Sequence, residues 1–283
     1  MNQAVANLAA RAPALTCNAA VRWSGTALAG VTWLSGCLFA LYIVVFYFGA
    51  LIDGVAGDAP LRGQPARMFD PQALRASVGI GSHLLAGAVL LLLGPIQLVA
   101  AVRSRWPAFH RWSGRVYASA AILAGAGGIV FILTKGTIGG TQMDIAFAIY
   151  GMALILAACN TARHARARRF AAHRAWAIRL FALVVGSWLY RIEYTGWRVF
   201  AGGAGHTATF DGPFDTAMLY FFFVPNLLLA EAFLRARREN AGPAQQATAA
   251  FALAGAALAV ALLTYMLALR AWGPPIVARL FGG

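Results

Sequence analysis

Residues Ala76–Val102 read ASVGIGSHLLAGAVLLLLGPIQLVAAV, a long run that contains no Asp, Glu, Lys or Arg. A helix needs about 20 mostly apolar residues to cross a bilayer, so this stretch predicts a membrane-spanning helix. Its two strongly polar side chains are His83 and Gln97. Because such groups are costly to bury in hydrocarbon, both are candidates for a functional site.

The rest of the chain repeats this pattern. Of its 283 residues, 60% are hydrophobic and only 11% are charged, whereas soluble domains have about 25% charged residues. The sequence therefore predicts an all-α fold, a polytopic membrane bundle of about seven transmembrane helices. The predicted spans are Ala27–Ile52, Ala76–Val102, Val116–Thr134, Ile145–Cys159, Ala175–Trp197, Phe214–Leu234 and Thr248–Leu269.

The basic residues predict an orientation. The formal net charge is +14, and arginines are concentrated in the short loops that follow the even-numbered spans. Short cytoplasmic loops are enriched in Lys and Arg, so this bias favours a cytoplasmic N-terminus and an external C-terminus, with no role for nucleic acid. We expect a bacterial cytoplasmic (inner) membrane protein in three parts. Residues 1–26 form a cytoplasmic segment, residues 27–237 a core of six spans, and residues 238–283 a linker, a peripheral seventh span and a periplasmic tail.

The second span carries a polar and glycine-rich stripe. At helical spacing, one side of this span presents Gly79, His83, Gly87, Leu90, Gly94 and Gln97. Glycines allow a close approach, either by a neighbouring helix or by a flat cofactor. The pattern leaves both alternatives open.

Two similar basic and aromatic clusters begin the third and fifth spans. They are PAFHRWSGRVY at Pro107–Tyr117 and AAHRAWAIRLF at Ala171–Phe181. Both lie at the cytoplasmic face, so His110 and His173 could hold a metal or both axial positions of one haem b. Arg111, Arg115 and Arg179 would then bind the propionates or another anion. The alternative is that His, Arg and Trp only anchor two helices at the interface.

A second polar group lies near the outer end of the fifth span. Tyr190, Arg191 and Glu193 fall at about the depth of His83. They form either a structural pair or, together with His83, a site for a polar head such as a quinone carbonyl. In the sixth span, Pro225–Asn226 predicts a kink that frees a backbone carbonyl, which neighbouring groups would satisfy.

The motifs resemble those of a known family of bacterial predicted membrane proteins, domain-of-unknown-function family 2306. The resemblance rests on H-x(10)-G-P-x-Q at His83–Gln97, RSRWPAFHRWSGRVY at Arg103–Tyr117 and AHRAWAIRLFAL at Ala172–Leu183. It covers about Ser82 to Glu231 and implies a multi-span fold more than a particular activity. The family positions carried over are His83, Gln97, His110, Arg111, Gly114, Arg115, Tyr117, His173, Trp176, Arg179 and Arg191.

Two details of the resemblance bear on cofactors. Relatives often have Met where this chain has Ala177, so a copper site is disfavoured. A looser similarity to diheme membrane cytochromes of the b561 and ferric-reductase kind implies bis-histidine haem, but too few histidines are present for two such haems. The resemblance therefore implies at most one haem b, held by His110 and His173.

The sequence leaves two functions open. One is a redox membrane protein that binds a haem b or a quinone. The other is a small-molecule or lipid transporter, or an accessory (assembly) factor of a membrane complex such as a respiratory complex. A purely structural protein is disfavoured by the polar stripe of the second span. No GxSxG, HExxH or GxxxxGK[ST] motif is present, so hydrolytic chemistry is not indicated.

Overall fold

The protein is a bundle of helices. The structure, a computed structural model, describes residues 3–48 and 74–281, and these residues contain no strand. The end of the predicted first span, residues 49–52, lies outside this part of the chain. The predicted all-α class is confirmed.

The first half of the bundle consists of long helices. Helix α1 spans Gln3–Tyr42 and continues into a π-helical turn, Ile43–Phe48. It is followed by α2 (Leu74–Leu98), the short α3 (Ala100–Arg105), α4 (Pro107–Lys135) and α5 (Gly140–Arg166). Helix α4 therefore begins several residues before the predicted Val116, because Pro107 suits the first turn of a helix, where no backbone donor is needed.

The second half contains two interrupted helices. Helices α6 (Phe170–Val184) and α7 (Gly186–Phe200) follow each other with a bend of 40°. A loop leads to α8 (Pro213–Phe221) and α9 (Val224–Ala236). The chain continues with α10 (Pro243–Leu267), a π-helical turn (Ala268–Trp272) and α11 (Gly273–Phe281).

The helices are long and apolar enough to cross a membrane. Six candidate spans meet this condition on their own, and the bent pair α6–α7 makes seven. Large apolar side chains point outward, such as Leu133 (80% exposed) and Phe251 (83% exposed). Such an apolar exterior is the surface that a lipid bilayer covers. The predicted orientation of the termini stays a prediction.

Glycines bring α2, α4 and α5 into backbone contact. A Cβ atom added at Gly79 would lie 2.9 Å from the carbonyl oxygen of Gly127, and one added at Gly125 would lie 2.8 Å from that of Gly151. At these positions the predicted close approach is made by a neighbouring helix. The stripe is different at Gly87, where an added Cβ would have no neighbour within 4 Å.

The two interruptions lie next to each other. Gly186 lies just after the bend, and Phe222 lies in the break between α8 and α9. A Cβ atom added at Gly186 would be 3.1 Å from the carbonyl oxygen of Phe222. That carbonyl accepts a hydrogen bond from Asn226 Nδ2 at 2.7 Å. The helix is interrupted just before Pro225, where the sequence predicts a kink, and Asn226 satisfies the Phe222 carbonyl beside the break.

The last long helix packs mainly against the first. Thr264 of α10 donates a hydrogen bond of 2.6 Å to Ser35 of α1, and Leu258, Leu262 and Tyr265 are exposed. We call the end of the bundle with the loops around residues 99–107, 166–170 and 236–243 the basic end, because the arginines concentrate there. The opposite end, with the loops around residues 136–140 and 200–213, is called the acidic end.

Candidate functional site

A largely enclosed cavity of about 30 Å³ lies between the spans. It has room for about two water molecules. Its walls come from α1, α2, α4, α5 and the bent pair α6–α7. Its polar lining consists of His83, Tyr150, Ser187, Trp188 and Arg191.

His83 presents an acceptor to this cavity. Its Nδ1 lies 2.9 Å from the carbonyl oxygen of Ala124. Because a carbonyl only accepts, Nδ1 carries the proton, and in the neutral ring Nε2 is then a free acceptor. Gly87, one turn further along α2, lines the same cavity and leaves space beside the ring.

Arg191 brings a positive charge to the cavity. One of its Nη atoms donates to the carbonyl oxygen of Ser187 at 2.8 Å, and its guanidinium lies 5.3 Å from the centre of the Phe39 ring. No carboxylate among the described residues pairs with it. Arg191 is partly buried within a span, where an unpaired cation is costly, so this site favours a ligand with an anionic or acceptor oxygen.

Two further side chains of the lining were not predicted from the sequence. The indole of Trp188 is 1% exposed, and its Nε1–H has no partner among residues 3–48 and 74–281. Tyr150 donates its hydroxyl proton to the carbonyl oxygen of Leu183 at 2.7 Å. An aromatic residue in a span normally indicates packing, so no sequence pattern indicates that these two side chains face a cavity.

The three residues predicted to form an outer polar group, Tyr190, Arg191 and Glu193, lie in three different environments. Arg191 meets His83 at the cavity, whereas the Tyr190 hydroxyl donates to that of Tyr194 at 3.1 Å. Glu193 does not pair with Arg191, and its buried Oε2 has no partner in the described part of the chain. Helical geometry explains the division, since adjacent residues project about 100° apart.

A buried carboxylate organises the acidic end. Asp215 is fully buried, and its Oδ1 accepts hydrogen bonds from Tyr194 and from His206 Nδ1, both at 2.7 Å. Its Oδ2 accepts from the backbone N–H groups of Thr207 and Gly212 at 3.0 and 3.1 Å. Asp215 is not among the predicted site residues, although an Asp at the third position of a helix that begins with Pro213 is typical of a helix N-terminal cap.

The two predicted haem ligands lie near each other at the basic end. His110 lies within electrostatic range of His173, and so does His164 of α5. The described residues contain no group of three metal-ligating side chains. The three histidines therefore do not form a protein-only metal centre in this part of the chain.

The two imidazoles differ in how well they fit an axial haem ligand. His173 Nδ1 donates to the carbonyl oxygen of Thr161 at 3.0 Å, which leaves Nε2 free, as in most ligating histidines. His110 lacks this support, since its buried Nδ1 has no partner among the described residues. Haem at His110 and His173 stays a prediction, and no chemical step below depends on it.

The remaining predicted residues make contacts within the bundle. Gln97 Nε2 donates to Ser113 Oγ at 2.7 Å, and its Oε1 lies 3.1 Å from the position of a Cβ added at Gly114. This side-chain bond links α2 to α4 at the basic end. A side chain at position 114 would approach the Gln97 amide closely, so packing explains why the HRWSGR motif has a glycine at this position.

The arginines of the two clusters separate into two groups. Arg179 donates to Glu231 of α9 at 2.5 Å and lies 5.1 Å from the centre of the Trp176 ring. Arg111 and Arg115 are exposed, and Arg115 stacks on the exposed Trp112. The contacts of Arg111 and Arg115 are typical of interfacial anchoring, and those of Arg179 hold two spans together.

These features define an α-helical, multi-pass membrane protein with an enclosed polar cavity. The chain belongs to the family described as predicted membrane protein (DUF2306), whose sequence model matches residues 80–234, more than half of the chain. The matched region contains His83, Arg191 and Asp215. No curated protein and no solved structure gives a match to the chain.

Proposed function

We propose that this protein binds the head group of a quinone in the cavity between His83 and Arg191. The observation that carries the proposal is that one cavity holds an acceptor and a cationic donor that no carboxylate of residues 3–48 and 74–281 neutralises. Arg191 can donate to a quinone carbonyl. His83 Nε2 can accept the hydroxyl proton of the reduced form. A head group that changes from acceptor to donor on reduction therefore finds a partner in both states.

The surroundings of the cavity support the same ligand class. Phe39, Ile43, Leu84 and Leu91 supply apolar walls, and a few polar groups among such walls are typical of small-molecule sites. A quinone ring is larger than the cavity of about 30 Å³, so binding requires one wall to move. The wall formed by Phe39 and Ile43 is suited to this, because it adjoins the π-helical turn Ile43–Phe48 and such turns are frequent at functional sites.

A binding experiment tests the proposal. The full chain in lipid nanodiscs would be titrated with decylubiquinone, and with decanol as a probe that lacks the ring carbonyls. We expect saturable binding of decylubiquinone alone. Loss of one partner of a buried charged hydrogen bond costs about 2 kcal/mol or more, so Arg191→Met should weaken this binding by at least about 30-fold.

The matched control is Arg198→Met, which removes an exposed arginine from the same helix. It should leave the affinity for decylubiquinone unchanged. Equal binding of decylubiquinone and decanol, or equal affinities of the wild type and Arg191→Met, would contradict the proposal.

One observation favours a second candidate, the transport of a small polar molecule. The breaks at Val185 and at Phe222–Phe223 lie side by side, and Val184 next to the first break lines the cavity. Interrupted helices at the substrate site are typical of secondary transporters. Uptake of a labelled organic anion into proteoliposomes that depends on Arg191, without quinone binding, would support this function instead.

The finer location is also a proposal. We infer a bacterial cytoplasmic membrane with the basic end inside, because the arginines follow the distribution expected for cytoplasmic loops. A quinone site there would connect the protein with respiratory complexes that share the quinone pool. Labelling of Ala167→Cys, in the exposed connection at the basic end of a chain whose Cys17, Cys37 and Cys159 are replaced by Ala, by a membrane-impermeant thiol reagent from one side only would report the orientation.

A further inference from the structure

Four side chains at the acidic end form an unbroken series of hydrogen bonds. His206 Nδ1 and the Tyr194 hydroxyl both lie 2.7 Å from Oδ1 of Asp215, and the Tyr190 hydroxyl lies 3.1 Å from that of Tyr194. All four groups can take up or release a proton. The series begins at His206, whose side chain is 20% exposed, and passes through Asp215, which is 0% exposed.

Aromatic rings enclose the series. Phe210 and Phe214 pack on Tyr194, and Phe147 and Phe222 pack on Tyr190. These rings offer no hydrogen bond to the polar groups, so the hydroxyls of Tyr190 and Tyr194 have their hydrogen-bond partners within the series. The packed apolar rings also restrict the access of water to the series. The hydrogen-bonded side chains are therefore the continuous route for a proton.

The inner end of the series approaches the cavity. Tyr190 lies on α7 one helical turn from Ser187 and beside Arg191, and both of these residues line the cavity. Tyr150, another lining residue, contacts the same Phe222 ring as Tyr190, with centroid distances of 4.9 and 5.3 Å. Tyr190 and the cavity lining therefore share Phe222 as an aromatic neighbour.

We propose that His206, Asp215, Tyr194 and Tyr190 form a proton path between the acidic end and the cavity. The inference deepens the proposed function, since it supplies or removes the protons that a quinone exchanges when its redox state changes. The hydrogen bonds themselves do not depend on that ligand.

The transfer conserves protons at every step. A proton binds Nε2 of His206, and the proton on Nδ1 passes to Oδ1 of Asp215. The hydroxyls of Tyr194 and Tyr190, which donate toward Asp215 in the structure, first rotate toward the cavity. Asp215 then protonates the Tyr194 oxygen as the Tyr194 proton moves to the Tyr190 oxygen, and the original Tyr190 proton leaves toward the cavity. This transfer leaves both hydroxyls donating toward Asp215 again, and return of His206 to its first tautomer restores the starting state. The reverse sequence carries a proton outward.

The test places a thiol in the cavity as a reporter. Gly87→Cys adds a side chain where no atom lies within 4 Å of the new Cβ, in a chain whose Cys17, Cys37 and Cys159 are replaced by Ala. The full chain in nanodiscs is transferred to D₂O, and the infrared S–H band measures the exchange rate. Tyr194→Phe keeps the ring and removes the hydroxyl that joins Asp215 to Tyr190. Loss of a positioned proton-transfer group should slow exchange by about 100-fold.

Two further variants control this experiment. Tyr220→Phe removes an exposed hydroxyl without a hydrogen bond among the described residues, and should leave the rate unchanged. Tyr190→Phe interrupts the same path at its inner end and should slow thiol exchange in the same way. It tests the path if Tyr194→Phe does not fold. Exchange at the wild-type rate in a folded Tyr194→Phe or Tyr190→Phe protein would overturn the path. Because the readout contains no quinone, failure of decylubiquinone binding would contradict the proposed function alone.

Discussion

Gly79→Val should prevent the formation of a stable bundle, whereas Gly81→Val should be tolerated. A Cβ at Gly79 would lie 2.9 Å from the carbonyl oxygen of Gly127 and 3.2 Å from the backbone nitrogen of Phe131. Both atoms belong to the backbone of α4 and cannot turn away as a side chain would. Two residues along the same helix, a Cβ at Gly81 has no neighbour within 4 Å.

The expected cost of Gly79→Val is more than about 3 kcal/mol, the upper part of the range for overpacked cores. For a chain of this size, this corresponds to a fall in Tm of at least about 6 °C. Thermal unfolding in detergent, followed by circular dichroism and by the monodisperse fraction in size exclusion, measures the difference. Equal melting temperatures of the two variants would contradict the backbone contact between α2 and α4.

Asp215→Ala should destabilise the acidic end strongly. The carboxylate is fully buried and accepts four hydrogen bonds, two from the backbone at Thr207 and Gly212 and two from Tyr194 and His206. Its removal leaves buried donors without an acceptor, and each such donor costs about 1–3 kcal/mol. The expected loss is about 3–5 kcal/mol, as for the removal of one partner from a buried charged group.

Asp211→Ala is the matched control, four residues earlier in the same loop region. Asp211 is exposed, and hydrogen bonds from Thr207 and Thr209 lower the pKa of its carboxyl. Because the carboxylate faces solvent, Asp211→Ala should leave the thermal stability nearly unchanged. Hydrogen exchange of the backbone amides in residues 201–212 would separate the two variants, with rapid exchange in Asp215→Ala alone. Protected amides in Asp215→Ala would show that the carboxylate does not hold this loop.

The spans were predictable because hydrophobic length is a property of the sequence alone. The predicted and observed helices differ mainly at their ends. The fourth span, predicted as Ile145–Cys159, extends over Gly140–Arg166 in the structure. Asp144 does not end it, since its carboxylate accepts from the backbone N–H of Thr137 at 2.7 Å and closes the preceding turn. Because local hydrogen bonds of this kind satisfy polar side chains, a helix can contain polar residues at which a hydropathy profile would place its end.

The candidate site was only partly predictable. His83 and Arg191 were identifiable because each is a costly residue in an apolar segment. Their common cavity depends on where α6–α7 bends, and no proline or repeated motif at Val185 indicates that bend. Arg179 has the same sequence character as Arg191, yet Glu231 neutralises it. Whether a cation in a span has a partner is decided by tertiary structure, and a single sequence does not contain that information directly.

The bend at Val185 separates α7 from α6 as a short helix of its own. This helix of 15 residues carries Ser187, Trp188 and Arg191 at one end and Tyr194 near the middle. A displacement of this helix would therefore move the cavity lining and the hydrogen bond between Tyr194 and Asp215 together.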